Sequence, residues 1–230
     1  MKTLALIALL LPLLAPPATA ADAAHPEVVE LFTSQGCSSC PPANANLGVL
    51  AARPEILALS FGVTYWDQLG WKDTFASPAF TQRQWDYAHG LQHANVATPQ
   101  VVVNGRADAV GNRLSDLEAL LRKADRGPGG PELQWRDGRV RIAAGQAPAG
   151  GADVWLARYD PRVVQVPVAR GENQGHTLPH RNVVRALTRI GHWSGQTLVA
   201  SAAPAQNGLK TAVLVQAGAG GPIIAASRLD

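Results

Sequence analysis

Gly36-Cys37-Ser38-Ser39-Cys40-Pro41-Pro42 is the stretch on which the reading of this chain turns. Its cysteines are the 2 that the chain contains, and they are spaced C-x-x-C. A short apolar run, Val28 to Thr33, precedes them. Pro41 and Pro42 then open a helix to about Ala52, since proline is tolerated in a first helical turn. Helix N-termini carry unpaired N–H groups and a partial positive charge, which favour a thiolate over a thiol. Such placement lowers a cysteine pKa from about 8.5 into the range of about 3.5–7.5. A thiolate there attacks a disulfide, and a second cysteine three residues on resolves the mixed disulfide. On this reading Cys37 is the exposed nucleophile and Cys40 the buried resolving thiol, and the two form the disulfide of the oxidised state.

Three other readings of the pair compete. It could be a static disulfide that staples the turn, although so short a loop gains little entropic stabilisation; a buried Cys37 would favour that inert role. It could be half of a zinc site, although no second C-x-x-C exists. It could bind Cu(I), which prefers soft thiolates; Met1, the single methionine, lies in a segment expected to be removed.

Around the motif the first half alternates strand and helix signals. Ile56 to Val63 reads as a buried strand, and Pro78 to about Leu91 as a helix capped by Ser77. Val101 to Val103 reads as a strand and Asn104-Gly105 as a hairpin turn, with Ala107 to Val110 as the returning strand. Asp116 to Lys123 reads as a helix with Ser115 as its cap and Leu117, Leu120 and Leu121 on one face. The order implies an α/β layer fold. A break at 125–131, rich in glycine and proline, cannot continue a helix or strand. Beyond it, short runs alternate with turn residues at Glu132–Trp135, Arg139–Ala143, Val154–Tyr159, Val163–Val168, Thr197–Ala200, Thr211–Gln216 and Ile223–Ala226. That spacing suggests an antiparallel sandwich. Val183 to Ile190 fits a helix or a strand equally.

Composition narrows the function classes. The chain of 230 residues is 47% hydrophobic and 16% charged, which excludes a disordered chain. Its net charge of +3 comes without a basic stripe, so no nucleic-acid partner is expected. Residues 1–20 read as a signal peptide: Lys2, an apolar run from Leu4 to Leu14, and Ala18-Thr19-Ala20 as a small-x-small cleavage site. The run is too short for a bilayer, which takes about 20 residues, and no later stretch is longer. A periplasmic or secreted protein with no stable membrane span is expected, in a compartment where disulfides persist.

Thr98-Pro99, just before the Val101 strand, adds a second signal. With the C-x-x-C motif it resembles the thioredoxin-like superfamily, where a distant X-Pro with a cis bond precedes a hairpin strand. The resemblance implies that Pro99 is a cis-proline beside the nucleophile and that the Thr98–Pro99 loop presents substrate backbone. Further stretches, Tyr65 to Asp73, Ser77 to Gln84, Gly171-Glu172-Asn173 and His180 to Arg185, resemble one family of secreted bacterial proteins with a thioredoxin-like domain and no assigned function. That resemblance covers nearly the whole mature chain and supplies no substrate. Gly36 and Ser38-Ser39 depart from the tryptophan and Gly-Pro usual in thioredoxins. Glu30 is the nearest acid before the motif; it is a buried general base for the cysteines or an exposed or capping residue, depending on strand register, because a one-residue slip reverses the face of the sheet.

Other residues admit a bland and a sharper reading. Tyr65, Trp66, Trp71, Phe75, Phe80, Trp85 and Tyr87 pack a core, or part of them lines a groove beside Cys37. His89 and His93, at i,i+4 spacing, are surface residues or two ligands of a metal. His176, His180 and His192, with Glu172 and Asn173, form a long polar loop or a surface facing the cysteines.

The sequence therefore predicts an α/β thioredoxin-like domain over 25–125 followed by a small antiparallel β-sandwich over 132–230. It predicts an exported thiol–disulfide oxidoreductase-like protein with Cys37, Cys40, Thr98 and Pro99 as its site and no metal or cofactor. Its partners would be exported protein thiols or disulfides and a redox partner. A Cu(I)-binding metallochaperone-like module and a non-catalytic protein with a structural disulfide are the alternatives.

Overall fold

The computed structural model describes residues 21–127 and 129–229. The expected signal peptide, residues 1–20, lies outside the described residues. Among those described, no helix is long and apolar enough to cross a membrane.

The first half begins with β1 (Glu27–Thr33), α1 (Pro41–Leu50) and β2 (Ile56–Gly62), followed by α2 (Pro78–Gly90), β3 (Gln100–Val103), β4 (Ala107–Ala109) and α3 (Leu114–Lys123). β1 and β2 run parallel in the register Glu27 to Ile56. Parallel strands joined through a helix are buried on both faces, and all seven residues of each strand are buried. Ser77 caps α2 by accepting from the Ala79 N–H at 3.3 Å. Asn104 and Gly105 both adopt positive φ, 50° and 62°, as the central residues of the turn closed by Arg106 N–H donating to Val103 O at 2.9 Å. At α3 the cap residue is Arg113 rather than Ser115, and no side chain bonds the helix end.

The second half contributes β5 (Leu133–Arg136), β6 (Arg139–Ile142), β7 (Ala152–Asp160), β8 (Val164–Pro167), β9 (Thr177–His180), β10 (Val183–Trp193), β11 (Leu198–Ser201), β12 (Lys210–Gln216) and β13 (Ile223–Arg228). The ambiguous segment at 183–190 is thus strand.

The expectation of a thioredoxin-like α/β domain followed by a small antiparallel β-sandwich is overturned. The structure is mostly β, with three short helices and one mixed eight-stranded sheet ordered β13-β12-β7-β10-β2-β1-β3-β4. Strands of both halves share it. The seam is β10 beside β2, parallel, with Val183 opposite Ser60. Ser60 N–H donates to Asn182 O at 2.9 Å, and Asn182 Nδ2 donates to Ala58 O at 2.7 Å. The physical reason is that β2 would otherwise be an open edge, a row of unpaired N–H and C=O groups. The second half covers that edge instead of closing on itself.

One face of the sheet carries a core common to both halves. Val28, Phe32, Leu57 and Leu59 join Phe80 and Tyr87 of α2 with Ala157, Val184 and Leu214. The alternate residues of β1, Val29 and Leu31, pack against α1 and α3. Those of β12, Val213 and Val215, pack with Val140, Ile142 and Trp193 beneath the separate sheet β11-β6-β5. β8 and β9 form a two-stranded ribbon of their own.

A buried polar cluster crosses the shared core. Arg83 donates through Nε to Glu30 Oε1 at 2.7 Å, through Nη2 to Glu30 Oε2 at 3.0 Å, and through Nη1 to Gln216 Oε1 at 3.0 Å. Tyr87 donates its hydroxyl to Glu30 and accepts from Gln216 Nε2 at 3.1 Å. β1, α2 and β12 are tied at one point.

Candidate functional site

The loop between β1 and α1 is a run of tight turns. Cys37 N–H donates to Ser34 O and Cys40 N–H to Cys37 O, each at 3.2 Å. Cys40 is the N-cap residue of α1, with Pro41 and Pro42 in the first turn. Proline lacks an N–H, so two of the donors expected to stabilise a thiolate at this helix end are missing.

The loop is held from below by the segment after β2. Asp73 accepts from the N–H groups of Gln35 and Phe75, both at 2.7 Å. Gln35 Oε1 accepts from Trp71 Nε1 at 2.9 Å, and Gln35 Nε2 donates to Thr74 Oγ1 at 2.9 Å. Burial holds the Asp73 carboxyl above its usual range, against the two backbone N–H groups that favour its charge. Gly62 makes this possible: a Cβ there would stand 2.8 Å from Phe75 C and Ala76 N. The aromatic stretch thus serves both expectations. Trp71 braces the cysteine loop, whereas Phe80 and Tyr87 belong to the core.

Cys37, Cys40, Thr98 and Pro99 come together. The Thr98–Pro99 bond is cis, and the Cys37 thiol donates to Thr98 O at 3.7 Å. Gln84 Nε2 fixes that loop by donating to Ala97 O at 2.8 Å. Cys37 and Cys40 are free thiols here, the reduced form of the pair. The expected exposure of Cys37 is corrected, because both cysteines are 0% exposed.

The two thiols differ sharply in proton affinity. The Cys40 thiol, hydrogen-bonding to the Cys37 sulfur, holds the Cys37 pKa down to about 6. Ser39, whose Oγ is 3.4 Å from that sulfur, and Thr98 act in the same direction, and burial opposes them. Burial pushes the Cys40 thiol up, and the neighbouring Cys37 sulfur pushes it further. Cys37 is the more acidic of the two thiols and Cys40 the one that keeps its proton.

Glu30 has no part in this. It lies on the α2 side of β1, bound to Arg83, while the cysteines lie on the α1 side, where Asn44 Nδ2 donates to Thr33 Oγ1 at 3.2 Å. Its charge and burial mark an ion pair within the core, a role that the sequence reading missed.

Glu172 and Asn173 of the second half do reach the motif. Glu172 Oε2 accepts from Ser38 N–H at 3.0 Å and from Ser38 Oγ at 2.8 Å. Asn173 Nδ2 donates to Gln35 O and Cys37 O, both at 2.9 Å. The histidines do not follow: His176 is exposed, and His192 pairs with Asp153 at 2.9 Å. His180 is buried, and that burial, with Arg185 nearby, lowers its pKa to about 4. His89 lies beside Trp85, and His93, beyond the end of α2, pairs with Asp108 at 3.0 Å. Among the described residues no group of three or more His, Cys, Asp or Glu side chains is placed to hold a metal; Cys37 and Cys40 are the paired soft donors.

A family model described as a protein of unknown function, DUF1223, matches residues 28–216. The chain is similar to a solved protein of Agrobacterium tumefaciens, AGR_C_4864, a structural-genomics target. The two are 30% identical, with a TM-score of 0.71, over 92% of this chain and 96% of that one. It also resembles in fold a structure titled HBP35 of Porphyromonas gingivalis, at 12% identity and a TM-score of 0.58, over 91% of this chain and 76% of that one. No curated protein matches.

Proposed function

The chain belongs to the DUF1223 family, whose function is unknown, and we propose that it carries out thiol–disulfide exchange at Cys37 and Cys40. The observation that supports this is geometric: two free thiols at the N-terminus of α1 stand beside the cis Thr98–Pro99 bond, with Thr98 O 3.7 Å from the Cys37 sulfur. The Cys40 hydrogen bond holding Cys37 down to about 6, and burial pushing Cys40 up, act in the same sense. A depressed pKa makes a nucleophile at neutral pH, and a raised one keeps the partner from reacting until it is needed.

The exchange balances as follows. Cys37 thiolate attacks one sulfur of a substrate disulfide, forming a Cys37–substrate bond and releasing the other sulfur as a thiolate. Cys40 then gives its proton to the departing side and attacks Cys37 Sγ. The second substrate thiol leaves, the substrate is reduced, and the Cys37–Cys40 disulfide has formed. Run backwards, the same steps oxidise a dithiol. Disulfides and thiols of exported proteins fit this chemistry, with a separate thiol or disulfide partner to reset the pair, in a periplasmic or extracellular compartment. The cis-Pro99 loop stands beside the reacting sulfur, with Thr98 O at 3.7 Å.

One observation favours a second reading. Cys37 is 0% exposed, as an inert structural pair would be. The reduction potential separates the two. Equilibration against glutathione and dithiothreitol with thiol trapping should give a value in the range of about −120 to −230 mV for exchange. A value below about −300 mV would establish the structural disulfide.

A further inference from the structure

The thiol that exchange requires is the one this structure covers. Bonded to the backbone on either side of Cys37 is the tip of the β8–β9 ribbon, residues 168–176, whose strands pair only with each other. The tip is folded on itself. Gln174 N–H donates to Gly171 O and His176 N–H to Asn173 O, both at 3.1 Å, and Gly175 N–H to Val168 O at 2.9 Å. It rests on the cysteine loop through four hydrogen bonds, two from Ser38 to Glu172 and two from Asn173 to the carbonyls of Gln35 and Cys37. These bonds engage the backbone of Gln35, Cys37 and Ser38, on both sides of the nucleophile. Ser38 and Glu172 are exposed to solvent, so water competes for that half of the contact.

Ser38 offers an N–H and a hydroxyl, and the Gln35 and Cys37 carbonyls offer acceptors; a turn that presents an acidic side chain followed by an amide satisfies all of them. We infer that Glu172 and Asn173 occupy a peptide site around Cys37 as a self-supplied ligand, and that a segment of a partner protein carrying an acidic side chain followed by an amide displaces them to reach the thiol. The inference rests on the exchange reading and adds its mode of access and the class of its substrate.

The test compares the reduced full chain with its Glu172→Ala/Asn173→Ala variant. Cys37 is modified by a maleimide carried on a polyethylene glycol chain, and folding is checked by circular dichroism. The variant should react roughly tenfold faster or more, the loss of a tip held by several hydrogen bonds. Glu172→Gln, which keeps an acceptor for Ser38 but loses the charge, should react at a rate between the two, and a wild-type rate would overturn the acidic requirement. A free peptide of residues 168–176, in large excess, should slow the variant and leave the wild type unchanged. Should the double variant fail to fold, Glu172→Ala alone, at an exposed side chain, carries the same comparison. Equal rates in variant and wild type would overturn the self-supplied ligand, and a peptide without effect on the variant would overturn the peptide site. Oxidised glutathione keeps the two readings apart. A variant that is modified faster yet forms no mixed disulfide with glutathione retains the displaceable tip and refutes exchange.

Discussion

Arg83 meets Glu30 through two parallel hydrogen bonds, 2.7 and 3.0 Å, in a place where neither side chain is more than 6% exposed. Removing one member leaves the other charged and unpaired in the core. Arg83→Met should therefore destabilise the protein by about 3–5 kcal/mol in urea unfolding, whereas Glu30→Met/Arg83→Met together should cost clearly less. Equal losses in the single and double variants would mean that packing, not charge, fixes this site.

Cys37 should react as a thiolate at neutral pH. Its alkylation by a small reagent should rise with a midpoint near pH 6, rather than near the ordinary value of about 8.5. Cys40→Ala should move that midpoint up more than Ser39→Ala, because the Cys40 hydrogen bond is the larger cause. The sign for stability follows. A pKa lower in the folded state favours the folded form once the unfolded thiol also ionises, so this contribution is present above the unfolded pKa and is lost as pH falls through 6. Cys40, shifted upward, opposes it only above its unfolded pKa. A pH titration of denaturation midpoints, reduced wild type against Cys37→Ser, reads the difference.

His180 should make the fold sensitive to acid. Burial lowers its pKa to about 4, so the folded state holds it neutral while the unfolded state takes up a proton below about 6.5. Stability is present above the unfolded value and drains as pH falls from there towards 4, by roughly 2–3 kcal/mol in all. His180→Phe should flatten that slope in unfolding measured between pH 7 and 4. An unchanged slope would place the acid-sensitive group elsewhere.

Gly62 should be intolerant of a side chain. A Cβ at 2.8 Å from the Phe75 and Ala76 backbone forces that segment away, and overpacking of this kind costs about 1–3 kcal/mol. Asp73 moves with it and loosens Gln35, so Gly62→Ala should lower the melting temperature and also shift the pH midpoint of Cys37 alkylation.

The local signals were legible because they are local. Ser77, Pro78 and the pair Asn104-Gly105 each impose a backbone conformation on their own neighbours, and α2 and the β3–β4 turn stand where those residues put them. The C-x-x-C motif and Thr98-Pro99 could be paired in advance because each has a recognisable text. The join of β10 to β2 could not be read. Val183 and Ser60 meet across more than a hundred residues, and a buried edge strand has the same apolar sequence whether its neighbour is near or far. The break at 125–131 suggested two self-contained sheets for the same reason: turn residues mark where a strand stops, not what it will pair with. The contact on the cysteine loop was half legible: Glu172 and Asn173 read as a polar loop or as a surface facing the cysteines, and their composition alone does not separate the two. Glu30 needed its register, which the β1–β3 pairing of Glu30 with Val102 fixes.

The distance along the chain between Ser38 and Glu172, 134 residues, is also an interval of time. A chain made at about 5–20 residues per second presents Cys37 roughly 7–27 s before Glu172 exists. The newborn protein thus passes through a period in which its reactive sulfur is complete and its cover is not. The β2 edge is bare in the same interval, since Val183 comes later still. Whatever meets the growing chain then, thiol reagent or another strand, meets Cys37 without the Glu172 and Asn173 hydrogen bonds and β2 without its β10 partner.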